Sequence, residues 1–178
     1  MSEDRIHFSG RYLRLIERDS WEFVSRSNAR AVVVLIAVTN RDELVLVEQL
    51  RKPVGASVIE LPAGLVGDHA DPDESIHQAA GRELEEETGF RAARLELLME
   101  CPSSAGLTDE IISFVRADGL ERVGPGGGDD SEDIAVHLVP RNEFDTRIEK
   151  WRQEGKPMDP KIFTGLYFLE HAYRGEDG

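Results

Sequence analysis

Residues 82–89, Arg-Glu-Leu-Glu-Glu-Glu-Thr-Gly, constrain this chain more than any other stretch. At 3.6 residues per helical turn, Glu83, Glu86 and Glu87 fall within an arc of roughly 100°, while Glu85 points the other way. Three carboxylates on one face repel one another and weaken a helix. Hard divalent cations would offset that repulsion, because Mg²⁺ and Mn²⁺ take oxygen ligands. A solvated acidic face is the plainer reading for an arbitrary run of glutamates. Ile76, Ala80 and Leu84 give the same helix a core-facing stripe, and Gly89 is placed as its C-cap. Its start reads as Asp71 at the N-cap, Pro72 at the first position and Glu74 closing a D-x-x-E capping arrangement.

Around this helix the periodicity alternates. Arg11 to Glu17 and Trp21 to Ser25 read as a β-hairpin about Arg18-Asp19-Ser20. Ala31 to Val38 is a buried strand, with Glu43 to Gln49 expected as its partner across the Thr39–Asp42 turn. Ser57 to Leu61 is a further strand, stopped by Pro62. Leu95 to Met99, Ile111 to Val115 and Ile134 to Val139 follow as strands. Arg141 to Gln153 and Lys161 to Tyr173 read as helices, the latter with Ile162, Leu166, Leu169 and Tyr173 on one face. This order predicts a mixed α/β sandwich. The segment Gly124-Pro125-Gly126-Gly127-Gly128 lacks the Lys-Ser/Thr of a phosphate-binding loop and is expected to be mobile.

Bulk properties exclude several roles. With 178 residues the chain is expected to form one domain, 1–178. A formal net charge of −14 argues against nucleic acid or an anionic membrane as partner. An anionic substrate would need metals or local arginines to reverse that field. The longest apolar run, Ala31 to Val38, is too short to span a bilayer, and the first ten residues lack the apolar core of a secretory signal. Cys101 is the only cysteine, so no intrachain disulfide can form and a cytoplasmic setting is expected.

Glu74, seven residues, then Arg-Glu-Leu-x-Glu-Glu-x-Gly-Phe resembles the Nudix hydrolase signature at every position from Glu74 to Phe90. One departure is visible: nine residues separate Gly64 from Glu74, where the signature has five. The extra residues fall among Gly67, Asp68, His69 and Ala70, in a loop where insertions cost little closure entropy. Beyond this box, Ile59 to Leu65 (IELPAGL), Val47 to Pro53 (VEQLRKP) and Ser103 to Glu110 (SSAGLTDE) resemble segments of ADP-ribose pyrophosphatases and their nucleotide-sugar relatives. The hairpin resembles theirs too.

This resemblance implies the Nudix fold, a mixed sheet between helices with an N-terminal hairpin. It implies Mg²⁺-dependent hydrolysis of a pyrophosphate bond, with ADP-ribose giving AMP and ribose 5-phosphate, and Mn²⁺ as a possible substitute. Other nucleotide sugars, of the GDP-mannose or UDP-glucose type, stay open as substrates. A non-catalytic, nucleotide-sensing Nudix domain is a third reading, disfavoured because every box acid is present. Glu83, Glu86 and Glu87 with the Ala63 carbonyl would hold metal, and Arg82 would orient Glu86 from one turn away.

Glu60 would face metal or substrate, or else be a polar residue at a strand end. The general base is expected among Asp129, Asp130, Glu132 and Asp133, with Glu132 aligning best; a solvated acidic loop is the alternative. Arg51 and Arg26 would contact the diphosphate or the ribose phosphate, although Arg26 alone reads as a surface arginine. Tyr12 and Trp21 resemble the rings that sandwich adenine, one from each subunit of a homodimer exchanging residues 9–28. Aromatic side chains on strands are otherwise more often core.

Overall fold

The computed structural model describes residues 4–67, 71–128 and 133–171. Its strands are β1 (Arg5–Ser9), β2 (Leu13–Arg18), β3 (Trp21–Arg26), β4 (Ala31–Ala37), β5 (Glu43–Arg51), β6 (Ala56–Glu60), β7 (Ala63–Val66), β8 (Phe90–Arg91), β9 (Arg94–Pro102), β10 (Ile111–Asp118), β11 (Glu121–Arg122) and β12 (Ile134–Pro140). The helices are α1 (Ile76–Thr88), α2 (Phe144–Gln153), entered through a 3-10 turn at Arg141–Glu143, and α3 (Lys161–Glu170).

The continuous apolar run of β4 dictates the layering. Side chains alternate across a strand, and here both faces are apolar, so both must be covered. Val34 and Ile36 join a core with Leu46, Ile59, Phe114, Trp151, Ile162 and Phe168, beneath α2 and α3. Val33, Leu35 and Ala37 join a second core with Ala79, Ala80, Leu84 and Val115, beneath α1. The sheet through β4 has the order β7-β4-β10-β9 and is mixed: β10 runs parallel to β4, and its other pairs are antiparallel. A second sheet, β12-β5-β6, lies beside it, and β1-β2-β3 form a third at the N-terminus.

Three expectations are corrected here. Strands β4 and β5 meet only at the Val38–Leu44 bridge beyond their shared turn. They then part into different sheets, because the edges of β4 are taken by β7 and β10 and those of β5 by β6 and β12. The helix α1 starts later than expected. Its N-cap is Ser75, whose Oγ accepts the Gln78 amide while the Gln78 side chain accepts the Ser75 amide at 2.9 Å. Asp71 instead closes a preceding turn, accepting the Asp73 amide at 3.0 Å. The third correction concerns residues 124–128, which are held in place: the Gly127 and Gly128 amides donate to the Glu87 and Glu86 carbonyls at 2.8 and 3.0 Å. The last helical turn has no partners of its own for these carbonyls, and the glycine-rich strap supplies them. Gly126 has φ +71°, and a Cβ there would lie 2.5 Å from Thr88 C.

Other expectations match closely. The hairpin turns through Asp19 and Ser20 with φ of 50° and 66°, the positive values that a tight two-residue connection requires, and gains β1 as an extra outer strand. Gly89 caps α1 in the left-handed region, its amide donating to Glu85 O. On α3 the buried stripe is Ile162, Gly165 and Phe168, with Leu166 and Leu169 packed against it; Tyr173 lies outside the described residues.

Candidate active site

A cleft of about 530 Å³ opens between α1, β6, β7 and the starts of β10 and α3. One wall is the contact of α1 with β7. A Cβ at Gly64 would lie 1.8 Å from Glu83 Cδ, so the bare backbone of β7 is what admits the Glu83 carboxylate. Glu83 and Glu86 line the cleft with Ala63 and Gly64. Glu87 is set behind them, 2% exposed, with its Oε2 accepting the Ala63 amide at 3.0 Å. The acidic arc is therefore graded, with Glu87 deepest, Glu83 buried at the wall and Glu86 reaching solvent.

Arg82 organises this wall. It donates from Nε to Glu74 at 2.9 Å, from Nη1 to Glu83 at 2.7 Å and to Glu86 at 3.2 Å, and from Nη2 to Leu65 O at 3.1 Å. The expected pairing with Glu86 is thus present but is the longest of its Nη1 contacts. Burial opposes the Arg82 charge; the Glu74 hydrogen bonds and the field of Glu83 outweigh it and push the guanidinium pKa up. Glu74, expected to finish a helix cap, turns inward instead and also accepts the Gly67 amide at 3.1 Å. A buried carboxylate needs such partners.

The opposite side of the cleft carries arginines, each paired with a carboxylate. Arg51 pairs with the buried Glu60 through two hydrogen bonds, one of 2.8 Å from Nε to Oε1 and one from Nη2 to Oε2. The bond to Glu60 holds the Arg51 guanidinium charged, against the cost of its burial. Arg26, at the end of β3, donates to Glu110 at 2.5 Å. Both arginines line the same cleft as Glu83 and Glu86.

Tyr12 and Trp21 are not brought into this cleft. Tyr12 lies before β2, 52% exposed, with Arg11 stacked over its ring. Trp21 is 62% exposed and donates from Nε1 to Gly106 O at 3.2 Å. The 103–110 loop ties the hairpin to the cleft rim, since the Val24 amide donates to Leu107 O at 2.9 Å. Glu132, Asp129 and Asp130 lie outside the described residues; Asp133 is described and exposed. Motif reasoning passed over Asp159 and Lys161, which also line the cleft. No local spacing marked them.

The donors toward a cation are all oxygen, which suits a hard divalent ion. Arg82 meets three carboxylates, Glu74, Glu83 and Glu86, and a divalent ion would add positive charge facing them. Among the described residues, no group of three His, Cys, Asp or Glu side chains stands in an arrangement that would hold a metal: Glu83 is turned to Arg82 and Glu87 to Ala63. The chemistry fits a divalent cation, and the side chains stand in their ion-paired arrangement. Among the described residues, no helix is long and apolar enough to cross a membrane.

Comparison with known proteins agrees with this geometry. The NUDIX domain family model matches residues 28–162, and members of that family generally use divalent metal ions. A methanol dehydrogenase activator of Bacillus methanolicus is 37% identical over 92% of this chain and 88% of its own length. An ADP-ribose pyrophosphatase of Bacillus subtilis is 32% identical, over 64% of this chain and 62% of that protein. The crystal structure of an ADP compounds hydrolase superposes with a TM-score of 0.68, covering 96% of this chain and 94% of that one at 19% identity, which speaks to the fold. The matched segment contains the acidic helix and every cleft-lining residue except Arg26, and the chain belongs to the Nudix family of pyrophosphohydrolases.

Proposed function

We propose that the chain hydrolyses the pyrophosphate bond of ADP-ribose, water entering and AMP and ribose 5-phosphate leaving. The observation that carries this reading is one cleft holding Arg26 and Arg51 opposite Glu83 and Glu86. A diphosphate needs cations on both sides in a protein whose net charge is −14. Guanidinium forks provide them on one side. On the other, Glu83, Glu86 and Glu87 with the Ala63 carbonyl are the residues that would hold Mg²⁺, or Mn²⁺ in its place. A divalent ion held there would supply charge neutralisation for the diphosphate and Lewis acidity toward the attacking water.

The chain's own residues position the rest. Arg82 bridges and orients Glu83 and Glu86, Glu60 fixes the Arg51 fork, and Glu132 is the proposed general base, in the segment before β12. Trp21 and Tyr12 are proposed to stack on the nucleobase in a homodimer built through the N-terminal sheet. A cytoplasmic setting and a single catalytic domain complete the reading.

The test is a Mg²⁺-dependent turnover panel across ADP-ribose, GDP-mannose, UDP-glucose, NADH and dinucleoside polyphosphates. ADP-ribose is expected to have the highest kcat/KM; a nucleotide sugar exceeding it tenfold would replace the reading. The 37% identity to the methanol dehydrogenase activator supports a second role, activation of an alcohol dehydrogenase. A dehydrogenase rate unaltered by adding this chain would exclude that role.

A further inference from the structure

One wall of the cleft is accounted for neither by the acidic helix nor by the arginines. After α2 the chain returns beside β6: the Ile59 amide donates to Pro157 O at 3.0 Å, and the Asp159 amide to Ile59 O at 2.9 Å. This lays Asp159 next to Glu60, and Pro160 then turns the chain into α3. Asp159 Oδ1 accepts the Lys161 amide at 2.8 Å, while Oδ2 takes the Lys161 ammonium at 2.5 Å. The two side chains are 19% and 29% exposed, and both line the cleft.

Starting α3 requires only the Oδ1 contact, because that satisfies a helix-terminal amide. The ammonium is a different matter. A cation on the first residue of a helix opposes the helix dipole, so Lys161 stands where helix stability alone would not place it. What it gains is a place in the cleft lining, paired to Asp159, whose charge acts on the Arg51 guanidinium.

The lining residues also differ in what they are tied to. Among the described residues no aromatic ring lines the cleft itself. Arg26 and Glu110 are tied through the 103–110 loop to Trp21, the ring proposed to stack on the nucleobase, whereas Asp159 and Lys161 enter the cleft from the side of β6. A nucleobase is recognised by stacking. A phosphorylated sugar is recognised by paired acceptors and donors, with the ammonium suited to its anionic oxygens.

We propose that Asp159 and Lys161 are specificity-determining residues that hold the sugar-phosphate half of the substrate, the half remote from the nucleobase. This deepens, and rests on, the reading of the chain as an ADP-ribose hydrolase. The carboxylate accepts from sugar hydroxyls, and the ammonium donates to the phosphate or ring oxygens.

Calorimetric titration of the two products, with Mg²⁺ present, tests this apart from turnover. Lys161→Met keeps the Asp159 contact to the residue-161 amide and is expected to weaken ribose 5-phosphate binding about tenfold or more, while AMP binding stays within about twofold. Lys161→Arg is expected to recover part of the loss. Unchanged ribose 5-phosphate affinity in Lys161→Met would overturn the proposal. So would an equal loss for AMP, which marks a purely structural role, or a wild-type protein that binds no ribose 5-phosphate. Failure of the parent reading appears elsewhere, as a wild-type enzyme that does not turn over ADP-ribose in the substrate panel.

Discussion

The contact of α1 with β7 and the N-terminal sheet invert the ordinary surface rule in opposite directions. At the first, charge is buried: Glu74, Glu83 and Glu87 are 8%, 9% and 2% exposed, and each has hydrogen-bond partners supplied by Arg82 or by backbone amides. At the second, apolar surface is open: Phe8, Tyr12 and Trp21 are 63%, 52% and 62% exposed. Buried carboxylates are kept only where their environment compensates them, and exposed clusters of large apolar residues mark surfaces that meet something else. The first region is complete within one chain. The second acquires a role only through what covers it, which is why the proposed dimer is needed to make its rings functional.

The hardest test of the first half of this comparison is Glu86→Gln. Its side chain is 45% exposed, so the fold should be unaffected by circular dichroism. Turnover at saturating Mg²⁺ should fall by about two orders of magnitude or more. A near wild-type rate would break the metal-wall reading.

Gly64→Ala sharpens it from the backbone side. The added Cβ must displace Glu83, so turnover and thermal stability should drop together, the stability by about 1–3 kcal/mol. Gly126→Ala should cost a similar ~1–3 kcal/mol, because it combines a left-handed φ with backbone contact at the end of α1. A melting temperature unchanged in both variants would show that the close packing of strap, helix and β7 is not needed.

Trp21→Ala addresses the second region. If the ring stacks on the nucleobase, KM should rise severalfold, matching the ~0.5–1.5 kcal/mol of an aromatic pair beyond its buried area, with kcat changed less. Light scattering should show a dimer at micromolar concentration. A monomer would defeat the shared site, and an unchanged KM would defeat the stacking independently.

A purely structural charge cluster calibrates both. Lys156 donates to Glu48 at 2.7 Å, and His137 lies 3.0 Å from the same carboxylate. The Lys156 hydrogen bond outweighs burial and holds the Glu48 pKa below its ordinary 4.5. A depressed carboxylate pKa adds stability that is present above 4.5 and lost as pH falls through the folded value. Lys156→Met should therefore lose roughly 1 kcal/mol at neutral pH, and the gap to wild type should close in acid below about 4.5. A gap that does not vary with pH would mean that the loss comes from packing.

Much of the acidic wall was legible because helix geometry is local. Spacing alone places Glu83, Glu86 and Glu87 on one side and Leu84 on the other, and Glu85 duly faces away to pair with Arg91 at 2.7 Å. The strand positions, the turn at Asp19-Ser20 and the Gly89 cap were legible for the same reason. The start of α1 was misread because Asp71 and Ser75 are both competent caps, and the choice depended on Glu74 being drawn inward by Arg82 and Gly67. The glycine-rich strap was misread because composition suggests freedom, whereas its amides meet the carbonyls of a helix about forty residues earlier in the chain.

What the sequence determined by itself is therefore the direction of side chains along each element: an apolar run buried on both faces, and an acidic arc opposite a core stripe. Only the tertiary structure decided that β4 and β5 part into separate sheets, that Glu87 is sealed behind Ala63, and that Asp159 and Lys161 share a cleft with Arg51. The physical reason is range. Dihedral periodicity acts over a turn or a pleat, whereas strand edges and cleft walls are settled by competition among segments far apart in the chain, which no local pattern records.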